Sequence, residues 1–286
     1  MTEGILIYCF NNTEVDYAKM SLISAYFAGQ NLKKPVTLVT DQSTVDWMIR
    51  ADLYCKAEQL FDNIILQERP KYTNNRILHN GPAKYTVPFL NNTRYSAYDL
   101  SPYDKTLLID SDFIILNDNL NEYYKIQQPV MLGESIQDIY DDKRLGYLDK
   151  FISETSIRMR WATTVLFDKS KESKIFFDLV RTIYENYDTF SSLFRFSPLQ
   201  FRNDVSFSVA EHIMNGFSPA SRYYLPAILT TLDRDILHSL ENNKFTFLVD
   251  ENLQENYFLT AIAKQNIHIM NKKSLIDRTD KLLDML

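Results

Sequence analysis

The chain has 286 residues, 45% of them hydrophobic and including 18 Phe and 18 Tyr, which is ample for the core of one large α/β domain or two small ones. A formal charge of -6, with no block rich in Lys and Arg, argues against a nucleic-acid-binding surface. The two cysteines, Cys9 and Cys55, permit one bridge at most and no zinc spacing, which suits a cytoplasmic protein. No run approaches the roughly 20 apolar residues of a membrane span. The start, MTEGILIYCFNN, lacks a basic leader and reads as a first strand, not a signal peptide. Only six glycines occur, none close enough to another to form a G-x-G or Walker loop. Phosphate held by a Gly-rich loop is therefore disfavoured, and a metal ion is the obvious substitute.

In chain order, GILIYCF (residues 4–10) reads as a buried strand and DYAKMSLISAYFAGQNL (16–32) as an amphipathic helix behind it. KPVTLVTD is a second strand ending on Asp41, followed by a short helix around STVDWMIRADL and a strand NIILQ. NGPAKYTVPFL and NTRYSAYDLSP read as helical segments bounded by turn residues. KTLLID is a strand, FIILND continues extended, and PVMLGES and RMRWATTVLFD are further strands. The polar stretch from Ile136 to Ser156 reads as a loop. Two long helices are expected at KESKIFFDLVRTIYENY and NDVSFSVAEHIMNG, then short strands at KFTFLVD and NIHIMN. The strand–helix alternation predicts a layered α/β domain with a mostly parallel sheet and helices on both faces. Without an internal repeat or linker, residues 1–286 are expected to form a single domain.

KTLLIDSDFIIL (105–116) poses the chemical question, because it sets Asp110 and Asp112 inside a strand-like apolar run. An ionised carboxylate costs several kcal/mol to bury unless a cation or hydrogen bonds compensate it. Asp110 closes a strand, and ligands of open α/β sheets gather at the carboxyl ends of strands. In an extended chain residues i and i+2 point to one side, roughly 7 Å apart, so both carboxylates face one ion. Mn²⁺ and Mg²⁺ favour such oxygen ligands together with substrate phosphates. A second Asp-x-Asp, Asp233-Arg234-Asp235, stands among apolar residues at helical spacing and reads as a solvated helix face.

YDKTLLIDSDFIILND resembles the D-x-D segment of GT-A fold glycosyltransferases, nearest to the family 8 group of glycogenin and lipopolysaccharide galactosyltransferases, whose pattern runs roughly ydKvlylDaDvvv. Upstream, Arg94 in NNTRYSAYDLSPYDK falls where that family has an Arg near the donor sugar and diphosphate. FRNDVSFSVAEHIMNG resembles its DQDalN segment and puts Asp204 on the first Asp, near the sugar hydroxyls. His268 in NIHIMNKKSL resembles the late His that completes the metal site with Asp110 and Asp112. The resemblance implies that Lys272 or Lys273 reaches a β-phosphate and that Tyr17 stacks on uracil. It implies too that Tyr8, Phe10 and Asn11 supply backbone contacts to the base, that Ser111 lies along the donor, and that Trp161, Thr163 and Thr164 border the acceptor and donor sugar. The chain departs from the family where Val205 replaces a Gln and where HxxGxxKPW becomes His268-Ile-Met-Asn-Lys272-Lys273. Each residue also has a plainer role: Asp204 or Asn203 as a helix cap, His268 as a structural residue, Trp161 as core.

The expectation is a GT-A fold transferase with a nucleotide-binding half at about 1–118 and an acceptor-side half at about 119–286. It would use Mn²⁺ or Mg²⁺ and a nucleotide-diphosphate sugar, first of all a UDP-sugar, to glycosylate a glycan or other hydroxyl, with the retention that the resemblance implies. Its rivals are a haloacid-dehalogenase-type Mg²⁺ phosphatase and a non-catalytic sugar-nucleotide-binding or assembly protein of the same fold.

Overall fold

The first strand, β1 (Glu3–Tyr8), is buried almost throughout, as a strand covered on both faces must be. It belongs to a computed structural model that describes residues 1–12, 14–69, 74–80, 83–153, 157–197, 200–217, 222–241, 244–252, 254 and 256–283. From β1 the chain passes through α1 (Tyr17–Leu32), β2 (Val36–Thr40), α2 (Gln42–Arg50) and α3 (Tyr54–Leu60) to β3 (Asn63–Leu66). A hairpin of β4 (Asn74–Asn80) and β5 (Ala83–Phe89) leads, via a 3₁₀ turn Arg94–Ser96 and α4 (Ala97–Leu100), to β6 (Lys105–Ile109) and β7 (Phe113–Ile114). Next come β8 (Val130–Gly133), β9 (Ile136–Asp138), β10 (Trp161–Asp168), α5 (Lys171–Glu185), α6 (Tyr187–Phe194) and α7 (Asn203–Met214). The last third holds β11 (Ile228–Thr230), β12 (Ile236–Glu241), β13 (Lys244–Asp250), β14 (Tyr257–Ala263), β15 (Ile267–His268) and α8 (Lys272–Leu283).

The main sheet has the order β3-β2-β1-β6-β10-β8, parallel from β3 to β6 and antiparallel on both sides of β10. It is the expected mixed, mostly parallel sheet flanked by helices. The chain first builds outward from β1 to β2 and β3, then returns to place β6 on the other side of β1. That reversal opens a crevice beyond the carboxyl ends of β1 and β6. A second sheet, β7-β15-β11-β9, and a third, β12-β13-β14, come from the later part of the chain.

Several expectations change. Residues 80–90, expected to be helical, carry β5, paired antiparallel with β4 from Asn74↔Phe89 to Asn80↔Ala83. Tyr85-Thr86-Val87 favours a strand, and Pro88 would break a helix interior. Gly81 and Pro82 lie outside the described residues. α1 is not amphipathic: Ala18, Met20, Leu22, Ile23, Ala25 and Ala28 are all buried, as are Ser21 and Ser24. It packs on β1 and β2 and also against α3 and α8. The stretch expected as a loop from 136 contains β9 and short 3₁₀ turns at 142–144 and 147–149, while 154–156 lie outside the described residues. The segment around Asp233 and Asp235 is a loop followed by β12, not a helix, and Asp235 is buried.

Candidate active site

β6 ends at Ile109, and the Asp110 amide donates to the Thr163 carbonyl at 3.0 Å, tying the strand end to β10. The chain then turns. The Phe113 amide donates back to the Asp110 carbonyl at 3.1 Å, and β7 leaves the main sheet to pair with β15. Asp110-Ser111-Asp112 is therefore a turn between two sheets, not extended strand, which corrects the basis on which the two carboxylates were expected to converge. In register His268 faces Phe113, and the Ile269 amide donates to the Asp112 carbonyl at 3.0 Å. Asp110, Asp112 and His268 thus each offer a ligand atom, all within 4.8 Å of one another. Two carboxylate oxygens and an imidazole nitrogen are a donor set suited to Mn²⁺, with room for substrate oxygens in the other positions.

Each carboxylate also meets a cation of the chain. Arg94, 1% exposed, places Nη2 3.1 Å from Asp110 Oδ1 and donates from Nη1 to the Ala162 carbonyl at 2.6 Å. Lys272 forms an ion pair with Asp112 Oδ2, and His268 Nε2 lies 3.3 Å from Asp112 Oδ1. Asp204, in the first turn of α7, accepts the Ala162 amide on Oδ1 at 2.9 Å and has Arg202 Nη2 3.3 Å from Oδ2. Arg94 and Asp204 therefore grip the two backbone groups of one residue. Between Trp161 and Val165, β10 shifts register against β8, and the bulge turns the Ala162 peptide groups toward these side chains.

A cleft of about 270 Å³ opens over this turn. Its wall includes Tyr17, Arg94, Asp110, Ser111, Asp112, Trp161, Thr163, Asp204, His268 and Lys272. Five other candidates are placed elsewhere. Tyr8 is buried with its hydroxyl bonded to Ser96 at 2.8 Å, and burial pushes that hydroxyl's pKa far up. Phe10 is buried in the core, Thr164 is 2% exposed on β10, and Lys273 points to solvent. The polar groups of Asn11 are spent on the protein: Oδ1 accepts from the Ala18 amide, Nδ2 donates to Asp16 Oδ1, the backbone N–H donates to Thr44 Oγ1, and the backbone carbonyl accepts from Arg69 at 2.6 Å. Val205 is buried and absent from the wall, whereas its neighbour Asn203 lines it and donates to the Asn91 carbonyl at 2.7 Å.

Sequence reasoning missed Asn91, Asp149, Gln200, Arg202 and Asp233, all in the wall. Asp233 belongs to the discounted second Asp-x-Asp, and Arg202 stands two residues before Asp204, its guanidinium 5.6 Å from the Trp161 ring. Asp149, whose carbonyl accepts the Trp161 indole N–H at 3.3 Å, carried no signal at all.

No protein-family model and no curated protein matches the chain. Solved structures similar to it include the glycosyltransferase GlyE of Streptococcus pneumoniae TIGR4, at 14% identity and a TM-score of 0.39, covering 75% of this chain and 43% of that one. Another is the galactosyltransferase LgtC in complex with donor and acceptor sugar analogues, at 13% identity, TM-score 0.44, and coverage of 73% and 70%. A third is the apo form of mouse xyloside xylosyltransferase 1, at 7% identity, TM-score 0.44, and coverage of 76% and 83%. All are GT-A glycosyltransferases. The chain spans less than half the length of the GlyE chain.

Proposed function

We propose that this protein is a metal-dependent glycosyltransferase that moves a sugar from a nucleotide-diphosphate sugar, a UDP-sugar, to a hydroxyl of a glycan or other acceptor, with retention at the anomeric carbon. One observation carries the reading: Asp110, Asp112 and His268 converge within 4.8 Å at the strand-end crevice. Arg94, Lys272 and Asp204 line the same cleft. When bound there, Mn²⁺ or Mg²⁺ supplies Lewis-acid stabilisation of the charge that develops on the leaving diphosphate.

The residues of the chain do the rest. Asp110, Asp112 and His268 hold the ion. Arg94, fixed by its bond to the Ala162 carbonyl, offers a preorganised positive charge beside Asp110 and the phosphates. Lys272 serves the phosphates as a point charge on a flexible stem. Asp204, held by the Ala162 amide and Arg202, accepts hydrogen bonds from sugar hydroxyls. Tyr17 lies along the base, while Trp161 and Thr163 border the sugar. The absence of a Gln at Val205 leaves recognition of the sugar to Asp204, Asn203 and the groups around them.

The test is UDP release from UDP-glucose, UDP-galactose and UDP-N-acetylglucosamine with Mn²⁺, with water or added glycans as acceptor. Turnover of one donor, abolished by chelator and by Asp110→Asn, is expected. No release from any of them, together with no binding of UDP in the presence of Mn²⁺, would sink the reading.

A further inference from the structure

We propose that Lys272 stands in for the metal ion, holding Asp112 in the ligand-free protein and moving to the donor diphosphate when the ion takes its place. Ion and diphosphate then bind as one unit, and neither binds well alone. The inference rests on the donor-site reading above and concerns how that site is filled.

Two carboxylates, Asp110 and Asp112, face two cations, Arg94 and Lys272, so the cluster is charge-balanced before any ion arrives. Arg94, Asp112, His268 and Lys272 are each at most 6% exposed. A divalent ion entering alone would place two more positive charges beside the buried Arg94 and Lys272, which is disfavoured. A diphosphate arriving with it restores the balance. Ion and ammonium also compete for one carboxylate, since a ligand oxygen lies about 2.1 Å from Mg²⁺ and comparably from Mn²⁺.

Of the two cations, Lys272 is the one able to leave. The Arg94 guanidinium is pinned by the Ala162 carbonyl at 2.6 Å, and the residue is 1% exposed. The Lys272 ammonium sits on a four-carbon stem, lines the cleft, and has a longer bond of 3.3 Å to the Ile269 carbonyl. Its place in the chain points the same way. Lys272 is the first residue of α8, where Asn271 Oδ1 caps the helix by accepting the Ser274 amide at 3.0 Å. A cation at a helix N-terminus opposes the macrodipole unless an anion lies beside it. Asp112 is that anion in the ligand-free chain, and a phosphate would be that anion in the loaded one.

The experiment measures free Mn²⁺ by electron paramagnetic resonance as the full chain is titrated, alone and with saturating UDP or UMP. In the wild type, UDP should tighten Mn²⁺ about tenfold or more, and Mn²⁺ should tighten UDP by the same factor, as linkage requires. UMP, lacking the second phosphate, should do far less. Lys272→Met should tighten Mn²⁺ alone about tenfold and shrink the UDP effect toward one, whereas Lys273→Met should behave as the wild type. Wild-type Mn²⁺ affinity indifferent to UDP overturns the proposal without recourse to any variant, as does Lys272→Met with unaltered Mn²⁺ affinity and coupling. Failure of the wild type and Lys272→Met to bind Mn²⁺ with UDP or other nucleoside diphosphates would instead overturn the donor-site reading.

Discussion

Asp110-Ser111-Asp112 and Asp233-Arg234-Asp235 share a spacing, and both border the same cleft, yet they are built for opposite ends. In the first, both carboxylates line the cleft beside His268 and are met by side chains that also reach it. In the second, only Asp233 lines the cleft. Asp235 turns inward, 1% exposed, where Arg144 donates to both of its oxygens at 2.9 Å and to both of those of Asp138 at 2.8 Å. The Arg144 guanidinium also donates to the Asp250 carbonyl at 3.0 Å, and Asp235 accepts the Leu232 and Asp250 amides. Buried charges of this kind persist only when every lone pair and proton finds a partner. This knot joins β9, the 3₁₀ turn at 142–144, the loop before β12 and the end of β13. It fixes the loop that presents Asp233, beside β11, whose Thr230 pairs with His268. The spacing of the aspartates said nothing of this. The location of the nearest arginine decided it.

The comparison breaks first at Arg144. Arg144→Ala should cost about 3–5 kcal/mol in urea unfolding, because it strands Asp138 and Asp235 without a counter-charge. A loss under about 1 kcal/mol would mean that water reaches the knot and that its charges need no partner. Asp112→Asn should act on the ligand-linked state. With Mn²⁺ and UDP at about 100 times their dissociation constants the wild type should gain roughly 2.7 kcal/mol, a gain the variant should lack. An Asp112→Asn protein stabilised as well as the wild type would remove Asp112 from the ion's ligands.

These contrasts also mark what the sequence could convey. The continuous apolar runs at β1, β2 and β6 announced a buried parallel sheet, since such strands are covered on both faces. The helices at 171–185 and 203–214 were legible from their period. The hairpin at 74–89 was not, because Gly and Pro punctuate a helix end and a hairpin alike. α8 was missed since its buried Leu275, Thr279 and Leu283 are spread thinly among charged residues. In the site, Asp110, Asp112 and His268 were legible as a set through resemblance, while the turn that brings the carboxylates together was not. Turn geometry at 110–113 depends on the bond to Thr163, more than fifty residues away. Asp149 and Gln200 were invisible for the same reason: only tertiary packing puts them in the wall.

Asp41 is another strand-end aspartate against which to set Asp110. It closes β2 but caps α2, accepting the Thr44 amide at 2.7 Å, and pairs with Arg69. Burial alone would raise its pKa, yet bonds from Thr44, Arg69 and Ser43 outweigh burial and hold it below the usual carboxylate range. A carboxylate so depressed contributes stability that is present above the unfolded pKa and lost as the pH falls through the folded one. Asp41→Asn keeps a capping oxygen and removes the charge, so it should cost about 1 kcal/mol at pH 7. The gap to the wild type should close progressively below roughly pH 4. A gap constant down to pH 2 would place the effect in the shape of the cap and not in its charge.

The smallest effect separates the two halves of the second Asp-x-Asp. Asp233 is half-buried in the cleft wall, and asparagine keeps its shape and one of its oxygens, so Asp233→Asn should change stability by less than about 0.5 kcal/mol. Asp235→Asn, two residues on, puts an amide nitrogen where Arg144 and the Leu232 and Asp250 amides all donate, and should cost several times more. Measured side by side in urea, near-equal losses would mean that Asp233 belongs to the scaffold. The cleft would then owe its acidic wall to folding. A wide difference instead places the scaffold's dependence on charge at Asp235, where Arg144 meets it, and not at Asp233.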